Sequence, residues 1–288
     1  MTMAFSHDGD WLWSVSEDGM IRIWDVAGPE CCLRQELSTK MRITAGALHT
    51  SPSGRLVVFV SDQHGRIRAW DLSKGKAVCE ASIANDHQLT ISSSLVLSSS
   101  SSSKSSIHSL TVAPNGQMLA AMDHAGRLHV WSITESLSPR SEGVTNDEEQ
   151  YSDEDETSSL TSHSHDVSSI SLTSLAWTQS HITYGIKCIF SPNSRHILTT
   201  SADGTAKLWR TPENDVAAGG GIELVQVYSG HSKWVWDGAF SADGMYIVTS
   251  ASDNTARLWD AATGETIAVY TGHAKALTSV SLNDLPSL

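Results

Sequence analysis

The chain predicts an all-β fold, a β-propeller of radially stacked four-stranded sheets, and three observations carry that prediction. Five short strands end in a tryptophan, at residues 21–24, 67–70, 128–131, 206–209 and 256–259. Before each stands a turn dipeptide: Asp8-Gly9, Ser53-Gly54, Asn115-Gly116, Asn193-Ser194 and Asp243-Gly244. Its second residue precedes the Trp by 15, 16, 15, 15 and 15 positions. Between turn and Trp lies an apolar run (11–15, 56–60, 118–122, 196–200, 246–250) bounded by Gly, Asp, Asn and Ser, the composition of antiparallel strands.

Each unit therefore reads as strand, tight turn, strand, tight turn, strand ending in Trp, then a looser fourth strand such as 32–37 or 267–271. One sheet this small cannot bury both of its faces, so neighbouring units must stack. No sustained 3.6-residue periodicity argues for helices. Blades are expected at about 1–38, 41–84, 107–136, 182–228 and 232–271, with an orphan inner strand at 274–282. At about 40–45 residues per repeat, a seven-bladed ring needs about 80 residues more. The expectation is an N-terminally truncated propeller with five recognisable blades. The Trp-to-Trp intervals of 46, 61, 78 and 50 are uneven because two segments interrupt the units. Residues 88–106 are Ser-rich and residues 134–180 are acidic and Ser-rich; both lack the apolar content to offset ordering entropy and read as disordered insertions.

Charge narrows the function classes. Lys and Arg number 19 against 32 Asp and Glu, a formal charge of −13 over 288 residues, which disfavours a nucleic-acid partner. Eight of the carboxylates, from Glu142 to Glu156, lie in the acidic insertion, leaving 24 acidic against 19 basic residues elsewhere. No apolar run reaches the roughly 18 residues of a membrane span, so membrane insertion is not expected. The N-terminus has no signal core, and the four cysteines (Cys31, Cys32, Cys79, Cys188) show no C-x-x-C spacing. Reduced thiols and a cytoplasmic location fit best. No constellation calls for a metal, a cofactor or a small-molecule substrate.

The last two units add a chemical signature. His181 precedes Trp209 by 28 residues and His231 precedes Trp259 by 28, while Asp203 and Asp253 each stand six before their Trp. The set is similar to a WD repeat, in which such side chains form a buried hydrogen-bonded chain through a Ser or Thr of the second strand. The resemblance implies that Ser201 fills that place in the first set. At the matching position of the second stands Ala251, implying an incomplete chain. Ser16 and Asp18 repeat the pattern before Trp24. The units ending at Trp70 and Trp131 have His64 and Ala125 at the Asp place, with Asp62 and Asp123 two residues earlier, and should form a different turn. A His–Asp pair beside a Ser also suggests a hydrolase. Recurrence once per blade argues instead for a rigidifying network and against an enzyme.

A closer resemblance runs from about residue 4 to 284 outside the insertions. Residues 230–241, Gly-His-Ser-Lys-Trp-Val-Trp-Asp-Gly-Ala-Phe-Ser, and residues 252–259, Ser-Asp-Asn-Thr-Ala-Arg-Leu-Trp, carry it. So do the Trp209-Arg210 variant and the turn Asp62-Gln63-His64-Gly65 before Trp70-Asp71-Leu72. These resemble the G-protein-β-subunit-like WD-repeat subunit of target-of-rapamycin complexes, the family also called lethal with SEC thirteen protein eight. The resemblance implies a non-catalytic scaffold that binds and stabilises the kinase, shared by both complexes (TORC1 and TORC2), in nutrient signalling and actin organisation. Expected partners are the kinase and its complex subunits. Trp234 and Trp236 are the first candidates for the kinase-facing patch, because they follow the Gly-His loop where an inner strand begins, and aromatic anchors dominate interface energies. Lys233 and Tyr184 are further candidates. Alternation places both indoles on one side of the strand. The competing function is a WD-repeat adaptor or substrate receptor in a ubiquitin ligase or chromatin complex. Ser152, followed by Asp153, Glu154 and Asp155, is a candidate for an acid-directed kinase.

Overall fold

The computed structural model describes residues 2–5, 9–28, 30–51, 55–72, 76–82, 105–137, 167–212 and 221–282. Every regular element among them is a strand, and consecutive strands pair antiparallel into five meanders. Sheet 1 is β1 (Thr2–Phe5), β2 (Trp11–Val15), β3 (Met20–Asp25) and β4 (Cys32–Ser38). Sheet 2 is β5 (Ile43–Thr50), β6 (Leu56–Asp62), β7 (Arg66–Asp71) and β8 (Lys76–Ser82). Sheet 3 is β9 (Ile107–Val112), β10 (Met118–Asp123), β11 (Arg127–Leu137) and β12 (Val167–Gln179). Sheet 4 is β13 (Gly185–Phe190), β14 (His196–Ser201), β15 (Thr205–Arg210) and β16 (Glu223–Ser229). Sheet 5 is β17 (Val235–Phe240), β18 (Tyr246–Ala251), β19 (Ala256–Asp260) and β20 (Thr266–Tyr270).

Strand alternation explains how the sheets stack. Along β10 every residue is buried, yet Leu119 and Ala121 join one apolar cluster while Met118, Ala120 and Met122 join another. A strand that is apolar on both faces has a sheet on each side. The four clusters are the four seams between consecutive sheets. Val15, Ile21 and Ile23 meet Val58 and Val60 across the first, and Phe59 and Ile67 meet Leu119 and Trp131 across the second. Met122 and Val130 meet Ile197 and Trp209 across the third, and Leu198 and Tyr228 meet Ile247 and Trp259 across the fourth. The repeat tryptophans of sheets 2 to 5, Trp70, Trp131, Trp209 and Trp259, thus point back into the seam with the sheet before them. Burial of one such aliphatic side chain is worth about 1.5–3 kcal/mol, so the seams hold the propeller together.

Two expectations are corrected. The acidic insertion is not loop throughout 134–180: β11 runs on to Leu137 and pairs with a thirteen-residue β12 that begins at Val167. Apolar residues there are sparse but correctly phased, since Ile133, Ile170 and Leu172 are all buried against sheet 2 beside Val78 and Cys79. Sheet 3 thereby gains its fourth strand. The remainder of that insertion and Ser152 lie outside the described residues, as does the Ser-rich stretch up to residue 104. Secondly, residues 274–282 form no strand. With no ladder partner of their own, they hold to sheet 5 through isolated bonds: Leu277 N to the Ala251 carbonyl, and Ser279 Oγ and Val280 N to Asp237 Oδ2.

Candidate docking face

The sequence-marked residues of sheets 4 and 5 build two matching chains of hydrogen bonds. In sheet 4, Trp209 Nε1 donates to Thr199 Oγ1 at 2.9 Å, Thr199 Oγ1 lies 2.8 Å from His181 Nε2, and His181 Nδ1 lies 2.8 Å from Asp203 Oδ2. In sheet 5 the same bonds join Trp259, Thr249, His231 and Asp253 at 2.8, 2.8 and 2.9 Å. An indole only donates and a carboxylate only accepts, so Trp N–H gives to Thr and His Nδ1–H gives to Asp; in that tautomer of the imidazole, Nε2 accepts the Thr O–H. Burial by itself raises the Asp203 and Asp253 carboxyls. Hydrogen bonds from His181 and Thr205, and from Thr255 and His231, outweigh it and hold both below the ordinary range, Asp253 at about 2. For His231 the balance runs the other way, and desolvation keeps its tendency to protonate low despite the Asp253 contact.

The bridging hydroxyl differs from the expected one. Ser201 instead donates to the Tyr184 carbonyl at 2.9 Å and accepts from Asp203 N, and Ala251 leaves the second chain intact. The bridge is two residues earlier on β14 and β18: Thr199 and Ser201 share a face, and the residue ten before the Trp lies deeper in the sheet, within reach of the indole, while Ser201 sits at the strand's end. The signal was present as Thr199, Thr249 and Ser14, each ten before its Trp. In sheet 1, Ser14 Oγ receives Trp24 Nε1 at 3.4 Å, while Asp18 accepts from Met20 N and pairs with Ser16 and Arg22 in the turn. Sheets 2 and 3 have Val60 and Ala121 at the bridging place, and there the Trp70 and Trp131 indole nitrogens have no hydrogen-bond partner among the described residues. Their turns are, as expected, different: Asp62 and Asp123 bind the side chains of Arg66 and Arg127 four residues on, at 2.7 and 2.8 Å.

These networks lie beneath one end of the propeller, where the turns 202–204 and 252–254 meet the loops entering β13 and β17. Each inner strand entering from that end, β5, β13 and β17, carries a bulge at its second residue, Thr44, Ile186 and Trp236, and β9 carries one at His108. A bulge re-aims its side chain toward the rim. Trp236 uses this to donate its indole N–H to Ser252 Oγ at 2.6 Å. The rings of Trp236 and Trp234 lie 5.5 Å apart, and Tyr184 meets Trp234 edge-on at 6.2 Å. The His124 ring lies tilted against Tyr184 at 4.2 Å, and His108 against His124 at 4.9 Å. One aromatic row therefore crosses sheets 3, 4 and 5. Tyr184 is 49% and Trp234 43% exposed, while Trp236 is half-buried. Lys233 is exposed beside them and, with Ser232, Trp234, Asp203 and Ser252, lines an open cleft of about 450 Å³.

Behind the row, Lys187 of β13 pairs with the buried Asp237 of β17 and ties the two inner strands together. Among the described residues no three His, Cys, Asp or Glu side chains converge to hold a metal. Nor is any described helix long and apolar enough to cross a membrane.

Comparison with known proteins agrees with this architecture. The family described as WD domain, G-beta repeat matches residues 1–25, 172–210 and 222–260. The chain is 31% identical over 283 residues to "Protein LST8 homolog" of Drosophila pseudoobscura pseudoobscura, covering 98% of this chain and 71% of that protein. It is 32% identical over 282 residues to "Target of rapamycin complex subunit wat1" of Schizosaccharomyces pombe, with the same 98% and 71%. It is 30% identical over 283 residues to "Target of rapamycin complex subunit LST8" of Mus musculus, covering 98% and 72%.

Proposed function

The chain belongs to the LST8 family of WD-repeat proteins, and from that premise we propose that it is a non-catalytic scaffold subunit of target-of-rapamycin complexes. In this role it binds the kinase domain through the end of the propeller that carries Tyr184, Lys233, Trp234 and Trp236, and stabilises it in growth signalling and actin organisation within the cytoplasm. The Schizosaccharomyces pombe and Mus musculus relatives are target of rapamycin complex subunits, which supports this reading of the complex. One observation supports the surface: exposed aromatic rings form a continuous row, each held by its neighbour, across three sheets. Exposed, pre-positioned aromatics are the usual centres of binding energy, because little side-chain freedom remains to be lost. The buried His–Thr–Trp chains account for the recurring His and Asp without any reaction, since each of their polar atoms is engaged within its own sheet.

The test is co-purification of the kinase with a variant carrying Trp234→Ala and Trp236→Ala, whose folding is checked by its unfolding midpoint. Recovery should fall at least tenfold, the loss expected when hot-spot aromatics are each worth about 2 kcal/mol. Undiminished recovery with a folded variant contradicts the assignment.

A further inference from the structure

We propose that the His108–His124 pair is a proton-sensitive support for Tyr184, so that mild acidification loosens the aromatic row and weakens docking; the docking half rests on the function proposed above. The geometry is specific. His124 Nδ1 and His108 Nε2 stand 2.9 Å apart, a hydrogen bond that needs one N–H and one lone pair. The pair can hold one positive charge and keep that bond. A second proton removes the acceptor and sets two imidazolium cations in contact. The His124 ring has Tyr184 on it at 4.2 Å and 31°, and Tyr184 in turn meets Trp234 at 6.2 Å and 70°. Any parting of the two histidines therefore moves the ring that Tyr184 rests on.

The surrounding charges do not relieve the conflict. Asp123 adjoins His124 in the chain, but its carboxylate is held by Arg127 Nε at 2.8 Å and faces His129 at 3.6 Å. Across the cleft that His108 lines, Arg42 and Glu17 pair with each other, leaving no net charge there. On β13, Lys187 is taken by Asp237. Desolvation by the neighbouring groups, and then the facing His124, disfavour the charged form of His108, against a smaller opposite pull from Asp123. His108 owes its place to the bulge in β9, and His124 to the turn between β10 and β11. Histidine is the side chain whose ordinary titration falls in this range.

Two measurements test the proposal. In the isolated chain, imidazole and Tyr184 ring resonances are followed by NMR from pH 8 to pH 5.5; Tyr184 should shift with the midpoint of the histidine pair. Affinity for the purified kinase is then compared at pH 7.5 and pH 6. Wild type should bind more weakly at the lower pH, by up to about threefold, since a midpoint difference of one unit between free and docked protein gives its full tenfold only well below both midpoints. His108→Gln, which cannot take a second charge, and His124→Phe, which keeps a ring under Tyr184, should each lose most of that dependence. A Tyr184 signal that ignores the histidine titration overturns the proposal, as does a pH dependence that both variants retain. Failure of the docking assignment is separately visible: the double tryptophan variant would then bind normally, while the Tyr184 titration would still report on the histidine pair.

Discussion

Sheets 4 and 5 and sheets 2 and 3 share a strand order and a Trp-ended third strand, yet they are held by different means. In the first pair every repeat tryptophan ends in a hydroxyl that is itself bonded to a histidine. In the second the tryptophans are anchored by packing, with Trp131 1% exposed and stacked on His129 at 5.8 Å, and its N–H has no partner among the described residues. Sheets 2 and 3 compensate across their seam. The β11–β12 ribbon lays Ile170 and Leu172 against sheet 2, and Glu135 of β11 reaches across to His49 at 3.3 Å and to Ser51. The lesson is that a repeat can lose its internal network where an inter-sheet clamp replaces it. The face divides along a different line: the aromatic row runs from His108 and His124 of sheet 3 over sheets 4 and 5, while Arg42, Thr44 and Gln63 line a polar cleft beside sheet 2.

The comparison can be broken from either side. Leu172→Ala should cost about 2–5 kcal/mol, the range for a buried leucine, and lower the urea midpoint without changing sheets 4 and 5. Thr249→Val should cost about 2–4 kcal/mol in the same assay, because it leaves two buried polar atoms, Trp259 Nε1 and His231 Nε2, without partners. The two halves should also answer differently to acid. His49 and His231 are both kept neutral mainly by burial, so their folded affinity for protons is below that of the unfolded chain. Their contribution is complete above about pH 6.5 and is lost as pH falls below it. Asp203 and Asp253 are depressed, so theirs is complete above the ordinary carboxylate range and is lost only as pH falls toward 2. Unfolding midpoints measured from pH 7.5 to pH 3 should therefore fall in two stages, and His49→Gln should shrink only the first. The smallest effect sharpens the contrast. Val60→Thr places a hydroxyl ten residues before Trp70, and it should be neutral or stabilising by up to about 1 kcal/mol where a buried hydroxyl ordinarily costs stability.

Much of this was legible locally. The turn-to-Trp spacing marks all five third strands, and the 28-residue and six-residue offsets mark His181, His231, Asp203 and Asp253, which the structure joins as two His–Asp hydrogen bonds. The bridging hydroxyl was misplaced by two residues because Ser201 and Thr199 point the same way along β14, and only depth in the sheet separates them. The strand β12 was hidden for a different reason. Six of the thirteen residues in its run VSSISLTSLAWTQ are Ser or Thr, and its pairing partner is separated from it by a long connection, so no local pattern marks it. The alternation that put Trp234 and Trp236 on one side was readable, but the bulge that turns Trp236 toward Ser252 was not, since a bulge is a property of two strands at once.

Hydrogen exchange on the chain alone and bound to the kinase tests the central claim most directly. Protection should appear in the backbone of residues 181–187 and 230–237 and in the turns 202–204 and 252–254, with little change in the turns 191–195 and 241–245 at the other end. Protection confined to those opposite turns, with 230–237 exchanging as in the free protein, would contradict the account.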